Sequence, residues 1–172
     1  MILTVENAPD FERDFQTAFE VCQRELGLDC LWGNLHVQLA PLEKGRNGQI
    51  LNYLGPRNSM LMRINDQQCT CSTHSRLTKK EFLVEVFCHE VVHAKQIRTG
   101  ELKISHDRFG DEKAINWKGQ DYPAQLLMVA MSHNSLYRSL PWEQEAFGKE
   151  AFLFKKVMEK IKARSGQSKV YA

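Results

Sequence analysis

The spacing of apolar residues in the first half of the chain predicts a helix followed by strands. Apolar residues recur every three or four positions from Phe15 to Leu26, the period of an amphipathic helix, and Gly27 follows as its end. Apolar and polar residues alternate over Leu35–Leu39, which predicts a strand. Gln49–Leu54 and Met60–Ile64 are two further apolar runs on either side of a Gly-Pro turn. We therefore expect an N-terminal helix and a small antiparallel sheet.

A long and largely apolar helix is predicted in the middle of the chain. Thr78 and Glu81 have the spacing of a capping box, and Gly100 is a typical residue at a helix end. Apolar residues and two histidines share a helical spacing between these ends: Phe82, Val86, His89, His93 and Ile97. Because further apolar residues widen this surface, we expect the helix to be central and buried.

The second half has a less regular pattern. The polar stretch Glu101–Lys113 predicts a loop with turns, and Ala114–Trp117 with Asp121–Tyr122 predicts a short hairpin. Ala124–Tyr137 is apolar at its start and is expected to be helical in part. Over Pro141–Ile161, apolar residues step by three and four, which predicts a last helix. The fold class expected from these elements is α+β.

Composition places the chain among globular proteins of one domain. It has 172 residues with a formal net charge of +2, too small to indicate nucleic-acid binding by itself. The Lys- and Arg-rich end of the last helix is expected to be a solvated face. No signal peptide and no membrane-spanning run are visible, so we expect a cytoplasmic protein. Its five cysteines are scattered and are expected to be reduced thiols.

The candidate chemistry lies on the central helix, in the pattern HExxH over residues 89–93. Four helical steps bring His93 to within about 40° of His89, so both imidazoles leave one face of the helix. This spacing suits two ligands of a zinc ion. Glu90 points about 100° away from His89, beside the metal, where it can accept a proton from a zinc-activated water. The pattern therefore predicts one zinc ion per chain and hydrolysis.

A zinc hydrolase usually has three protein ligands, and the sequence offers three candidates for the third. Glu143 stands in the first turn of the last helix, fifty residues after His93. His106 follows His93 by thirteen residues, on the predicted loop. Glu145 is a further candidate, although it points about 200° away from Glu143 on the helix. The residues alone leave this choice open.

The motifs together resemble a known family. They are His89–Gln96, Thr99–Leu102, Trp117–Tyr122, Tyr137 and Pro141–Ala146. This set is similar to the small metallopeptidases encoded by bacteriophages and bacteria, which are zincins with a layout like that of minimal gluzincins. The resemblance implies Glu143 as the third ligand, in a Glu-x-x-Ala form that ends at Ala146. It also implies a peptide or protein substrate and, for a phage-encoded protein, the host cytoplasm. The chain departs from the usual pattern at Phe147, where an acidic residue commonly stands.

Two alternatives to this function remain. The chain is also similar to SprT-like proteases, which act on protein attached to DNA and in which a histidine follows HExxH; His106 would then be the third ligand. The four-cysteine zinc ribbon that many of those proteins carry is absent from the sequence. The other alternative is a zinc-stabilised binding protein without turnover. An intact Glu90 argues against it, because a structural site needs no base.

We assign further roles around the zinc site as expectations. Tyr137 is expected to donate to the oxyanion that forms during hydrolysis, and the other candidates for this role are His133, Tyr122 and His106. One carboxylate is expected to orient a ligand imidazole, and the candidates are Glu85, Glu145 and Asp121. If an edge of the sheet borders the metal, it can accept an extended peptide by strand addition. The expected single domain, 1–172, comprises a helix and sheet half at 1–77, a metal-site half at 78–163 and a flexible tail at 164–172.

Overall fold

A computed structural model of the chain describes residues 1–30, 33–43, 45–52, 59–67, 77–106 and 112–167. The fold is α+β, with a mixed four-stranded sheet and a three-stranded antiparallel sheet. In chain order the elements are β1 (Ile2–Glu6), α1 (Glu12–Leu26), β2 (Asn34–Leu39), β3 (Gly48–Asn52), β4 (Ser59–Ile64), α2 (Lys79–Arg98), β5 (Leu102–His106), β6 (Glu112–Trp117), β7 (Gln120–Pro123), α3 (Ala124–Met131), α4 (Asn134–Ser139) and α5 (Pro141–Gln167).

The first sheet has the strand order β1-β2-β4-β3 and corrects the prediction of an antiparallel sheet. Strands β1, β2 and β4 are parallel, and only β3 is antiparallel to its neighbour β4. The prediction missed β1, a five-residue strand in which Leu3 is the buried residue. Strands β1 and β2 run parallel, and α1 forms the crossover connection that such a pair requires. The predicted pairing of β3 with β4 is confirmed.

Helix α2 is central, as predicted. Its capping box is formed, because Glu81 N donates to Thr78 Oγ1 and Thr78 N donates to Glu81 Oε2. Gly100 follows the helix with φ of 73°, a left-handed conformation that glycine adopts without strain. Phe87 contacts Phe15 of α1, with ring centroids 5.3 Å apart. Between α1, α5 and the sheet, α2 contributes residues from all its sides to the main apolar core.

The second sheet, β5-β6-β7, replaces part of the predicted loop. The stretch Glu101–Lys113 contains β5 and the start of β6, while 107–111 lies outside the described residues. Leu102 to Ser105 alternate apolar and polar residues, but this short alternation stands in a polar stretch and does not distinguish a strand from a loop. The hairpin of β6 and β7 is confirmed, with positive φ at Lys118 and Gly119 in its turn.

The segment 124–139 forms two short helices, α3 and α4, and the last helix begins at Pro141 as predicted. The start of α5 packs through Trp142 in a small second core, which also contains Leu102, Ile115, Trp117 and Leu140. Its later turns pack in the main core. Helix α5 continues to Gln167, so it includes the start of the predicted tail, and 168–172 lies outside the described residues. None of the described helices has the combination of length and apolar character needed to cross a lipid bilayer.

Candidate metal centre

His89 and His93 leave one face of α2 and converge. Their Nε2 atoms are 3.1 Å apart, and both residues are buried, with about 8% of each surface exposed. The ring centroids are 4.8 Å apart in an edge-on arrangement. The helical spacing of the pattern therefore has the geometric result expected from sequence.

Glu143 completes a three-residue group that can hold one metal ion. It is buried in the first turn of α5, and its Oε2 and Oε1 atoms lie 3.3 Å from the Nε2 atoms of His89 and His93, respectively. Donor atoms that surround zinc tetrahedrally at about 2.0–2.1 Å stand about 3.3 Å apart. The two Nε2 atoms are 3.1 Å apart and each lies 3.3 Å from a different oxygen of Glu143, so each separation is close to that of two donors on one zinc ion. Within the described residues, this is the group of His, Cys, Asp and Glu atoms close enough to share an ion.

The other nitrogen of each imidazole has its own hydrogen-bond acceptor. His89 Nδ1 lies 2.8 Å from Glu150 Oε2, and His93 Nδ1 lies 2.8 Å from Gln96 Oε1. The Gln96 amide has a defined orientation, because its Nε2 donates to the backbone oxygen of Trp142 at 3.0 Å. Each Nδ1 therefore carries a proton, and each Nε2 can direct its lone pair at Glu143. This is how histidine ligands are commonly oriented in metal sites.

This convergence of lone pairs requires a cation. Glu143 Oε2 is buried without a hydrogen bond and lies 3.3 Å from His89 Nε2. With that nitrogen unprotonated, both atoms are acceptors and cannot bond to each other. Either a proton on an imidazole or a metal ion can resolve this. Burial opposes the charge on His89, but Glu143 and Glu150 outweigh it and raise the pKa of His89 to about 10. Burial likewise opposes the charge on Glu143, but the two histidines lower its pKa to about 2. The group is thus built to hold positive charge, and its donor set suits a divalent transition metal.

Glu90 lies beside this group and against the edge of the first sheet. Burial raises the pKa of its carboxyl group, and the neighbouring charges of His93 and His89 oppose this shift. The strand β3 passes so close that a Cβ atom on Gly48 would lie 2.4 Å from Glu90 Oε1. A glycine is needed here because a side chain would displace the carboxylate. The geometry therefore joins a buried carboxyl group to the backbone of an edge strand.

Tyr137 lies on α4 and contacts Glu143 of the metal group. Its hydroxyl donates to Glu143 Oε1 at 2.7 Å. Burial, together with the negative charge of Glu143, raises the pKa of this phenol well above its usual value, so that it retains its proton. The structure thus brings together all five residues assigned to the site from sequence: Glu90, Tyr137, His89, His93 and Glu143.

The residues that orient the imidazoles differ from those predicted. Glu150 and Gln96 hold the two Nδ1 atoms, in place of Glu85, Glu145 or Asp121. A signal for Glu150 was present, since it follows Glu143 by seven residues and so falls within about 20° of it on the helix. Gln96 follows His93 by three residues and ends the motif His89–Gln96, but it had no predicted role of its own.

The departure at Phe147 has a structural counterpart. The Phe147 ring packs on His89 with centroids 4.6 Å apart, and Arg138 lies 3.9 Å from the centroid of the same ring. An aromatic ring thus stands where an acidic residue was expected, and the carboxylate that bonds to His89 comes instead from Glu150, almost one helical turn later.

The other residues predicted as ligands or oxyanion donors have different surroundings. Glu145 receives hydrogen bonds from Lys149 and Lys118 and belongs to a polar network behind the metal group. His133 is exposed at the start of α4, and Tyr122 packs on Trp142 with centroids 5.5 Å apart. His106 ends β5, and its side chain lies outside what the structure describes.

Comparisons with family models, with curated proteins and with solved structures found no match to this chain. The interpretation of the site therefore depends on its own geometry, in which two histidines of α2 and one glutamate of α5 form a buried group able to hold a metal ion.

Proposed function

We propose that the protein is a zinc metallopeptidase of the zincin type. The observation that carries the proposal is the convergence of His89, His93 and Glu143 with Glu90 buried beside them. A zinc site that serves only to stabilise the fold usually has four protein ligands and needs no additional buried carboxyl group. Two nitrogen ligands with one carboxylate are a common donor set for a hydrolytic zinc site.

The roles of the chain's own residues follow from their positions. A zinc ion held here would lower the pKa of a water molecule and polarise the scissile carbonyl. Glu90 accepts the proton of the attacking water and passes it to the leaving amine, a role that suits its raised pKa. Tyr137 retains its proton and donates it in a hydrogen bond to the developing oxyanion, in exchange for its bond to Glu143.

The edge strand β3 supports a peptide as the substrate. Among the described strands β3 pairs only with β4, so its other side offers backbone groups to an extended chain. At Gly48, Glu90 lies against the face of this edge strand. A peptide added beside β3 would therefore pass next to the general base.

The test is hydrolysis of a library of fluorogenic peptides by zinc-loaded protein and by the variant Glu90→Gln. We expect the variant to lose about 10²- to 10⁴-fold in kcat and to keep one zinc ion per chain, because Glu90 is not a ligand. Glu85→Gln, on the same helix, is the matched control and should retain activity. In the same assay, Tyr137→Phe should lower kcat with less effect on KM.

Two outcomes would overturn the proposal. If the protein binds zinc but hydrolyses no peptide, the binding-protein alternative is favoured. If cleavage needs DNA and weakens with salt, the SprT-like alternative is favoured.

A further inference from the structure

Gln96 has a position that links the two helices of the metal group. It is fully buried, three residues after His93 on α2. Its Oε1 accepts from His93 Nδ1 at 2.8 Å. Its Nε2 donates to the backbone oxygen of Trp142 at 3.0 Å and lies 3.4 Å from Glu145 Oε2. One amide therefore contacts a ligand on α2 and the backbone directly before the ligand on α5.

We propose that Gln96 is a positioning residue that sets the geometry of both His93 and Glu143. The inference rests on the proposed metal site and names the residue that assembles it. An amide is suited to this task because it offers an acceptor and a donor on one rigid plane. A carboxylate would lack the donor needed by Trp142, and an ammonium group would lack the acceptor needed by His93.

The packing around Trp142 explains how the hydrogen bond from Gln96 to the Trp142 backbone can fix the position of Glu143. The indole packs in the second core, with Trp117 at 6.5 Å and Tyr122 at 5.5 Å between centroids. The backbone at Trp142 is therefore held from both sides, by aromatic packing and by the Gln96 amide. Glu143, the next residue, has its carboxylate buried within 3.3 Å of both imidazoles. Small shifts of this first turn would alter the spacing of the ligand atoms.

The experiment measures zinc affinity by competition with a chelator, and the visible absorption spectrum of the Co²⁺-loaded protein, for three variants. Gln96→Met keeps the approximate volume and removes both polar atoms. Gln96→Glu keeps an acceptor for His93 and removes the donor to Trp142. Thr17→Val removes a buried hydroxyl of α1, remote from the site, and is the matched control.

We expect Gln96→Met to weaken zinc binding about 10- to 100-fold, as loss of the hydrogen-bond partner of a ligating imidazole typically does. Its cobalt spectrum should change, because the ligand geometry changes. Gln96→Glu should weaken binding less than Gln96→Met but measurably. Thr17→Val should lower thermal stability without altering the affinity or the spectrum.

The outcomes separate this inference from the proposed function. If the unmodified protein binds zinc and both Gln96 variants retain its affinity and spectrum, Gln96 has only a structural role and the inference is wrong. If the unmodified protein binds neither zinc nor cobalt, the metal site itself is wrong. If Gln96→Met does not fold, Gln96→Glu alone tests the inference. An unchanged zinc affinity of Gln96→Glu would show that the hydrogen bond from Gln96 to the Trp142 backbone does not position Glu143.

Discussion

The two ends of helix α5 carry charged side chains to two different surfaces. Near its start, Glu143 and Glu150 are largely buried against the histidines of α2. Near its end, Lys160 and Arg164 are only partly buried, and both bond to Glu20 of α1 at 2.6–2.8 Å. The charged cluster at the start of α5 is therefore largely shielded from water, whereas the cluster at its end is partly exposed to solvent.

The difference teaches how to interpret charge on this fold. At the end of α5, Lys160 and Arg164 share Glu20, and Lys156 bonds to Glu25 at 2.7 Å. These contacts join three cations of the basic segment to α1. At the start of α5, the charges leave Glu143 Oε2 buried without a hydrogen bond. A buried charge in that state is costly unless a cation completes it.

The largest effect that would test this contrast is expected for Glu143→Ala. Because this change removes a ligand, zinc affinity should fall by more than the roughly 100-fold that loss of an orienting partner can cause. Chelator competition measures it. Glu145→Ala, two residues further along the helix, should change zinc affinity much less, because the Glu145 carboxylate accepts hydrogen bonds from Lys118 and Lys149. If His106→Ala abolished binding and Glu143→Ala did not, the histidine alternative for the third ligand would be correct.

An intermediate effect is expected at Glu150. Glu150→Ala leaves the Nδ1 proton of His89 without its acceptor and should weaken zinc binding about 10- to 100-fold. Glu150→Gln keeps an acceptor and should cost less. Glu159→Ala removes an exposed acid of the same helix and is the control. Equal affinities for the alanine variants at 150 and 159 would remove the role assigned to Glu150.

The smallest effect is expected at the other end of the helix, for Glu20→Gln. The variant should lose less than about 1 kcal/mol of unfolding free energy, because exposed ion pairs contribute little. The hydrogen bond from Lys160 lowers the pKa of Glu20. Its stabilisation is therefore fully present above the ordinary Glu pKa of about 4.3 and is lost as pH falls through the lowered pKa. Urea unfolding at neutral and acidic pH measures this difference, and a constant difference across pH would contradict the assignment.

How much of the fold was predictable depended on whether its signals were local. The capping box at Thr78, the hairpin turn at Gly119 and the periodic helices are set by neighbouring residues, and the sequence predicts each. The parallel arrangement of β1, β2 and β4 depends on contacts between distant segments, so alternation alone suggested the wrong sheet. Strand β5 was missed because its alternation is short and stands in a polar stretch.

The candidate site shows the same division. The pair His89 and His93 followed from helical geometry alone, whereas the placement of Glu143 depends on how α5 packs across α2. The resemblance to zincins supplied that expectation, and the donor group agrees with it. Gln96 and Glu150 were missed because their roles depend on contacts that helical periodicity does not fix. The approach of Gly48 to Glu90 likewise depends on packing between a strand and a helix.

The forty-nine residues between His93 and Glu143 include the whole second sheet, and the site joins the two ends of this segment. A bound ion would therefore act as a crosslink that closes a long loop and ties the small second core to the main one. Crosslinks of this span remove much of the freedom of an unfolded chain. In this protein the ion that supplies the chemistry would thus also hold the two cores together, and chelation would loosen their attachment.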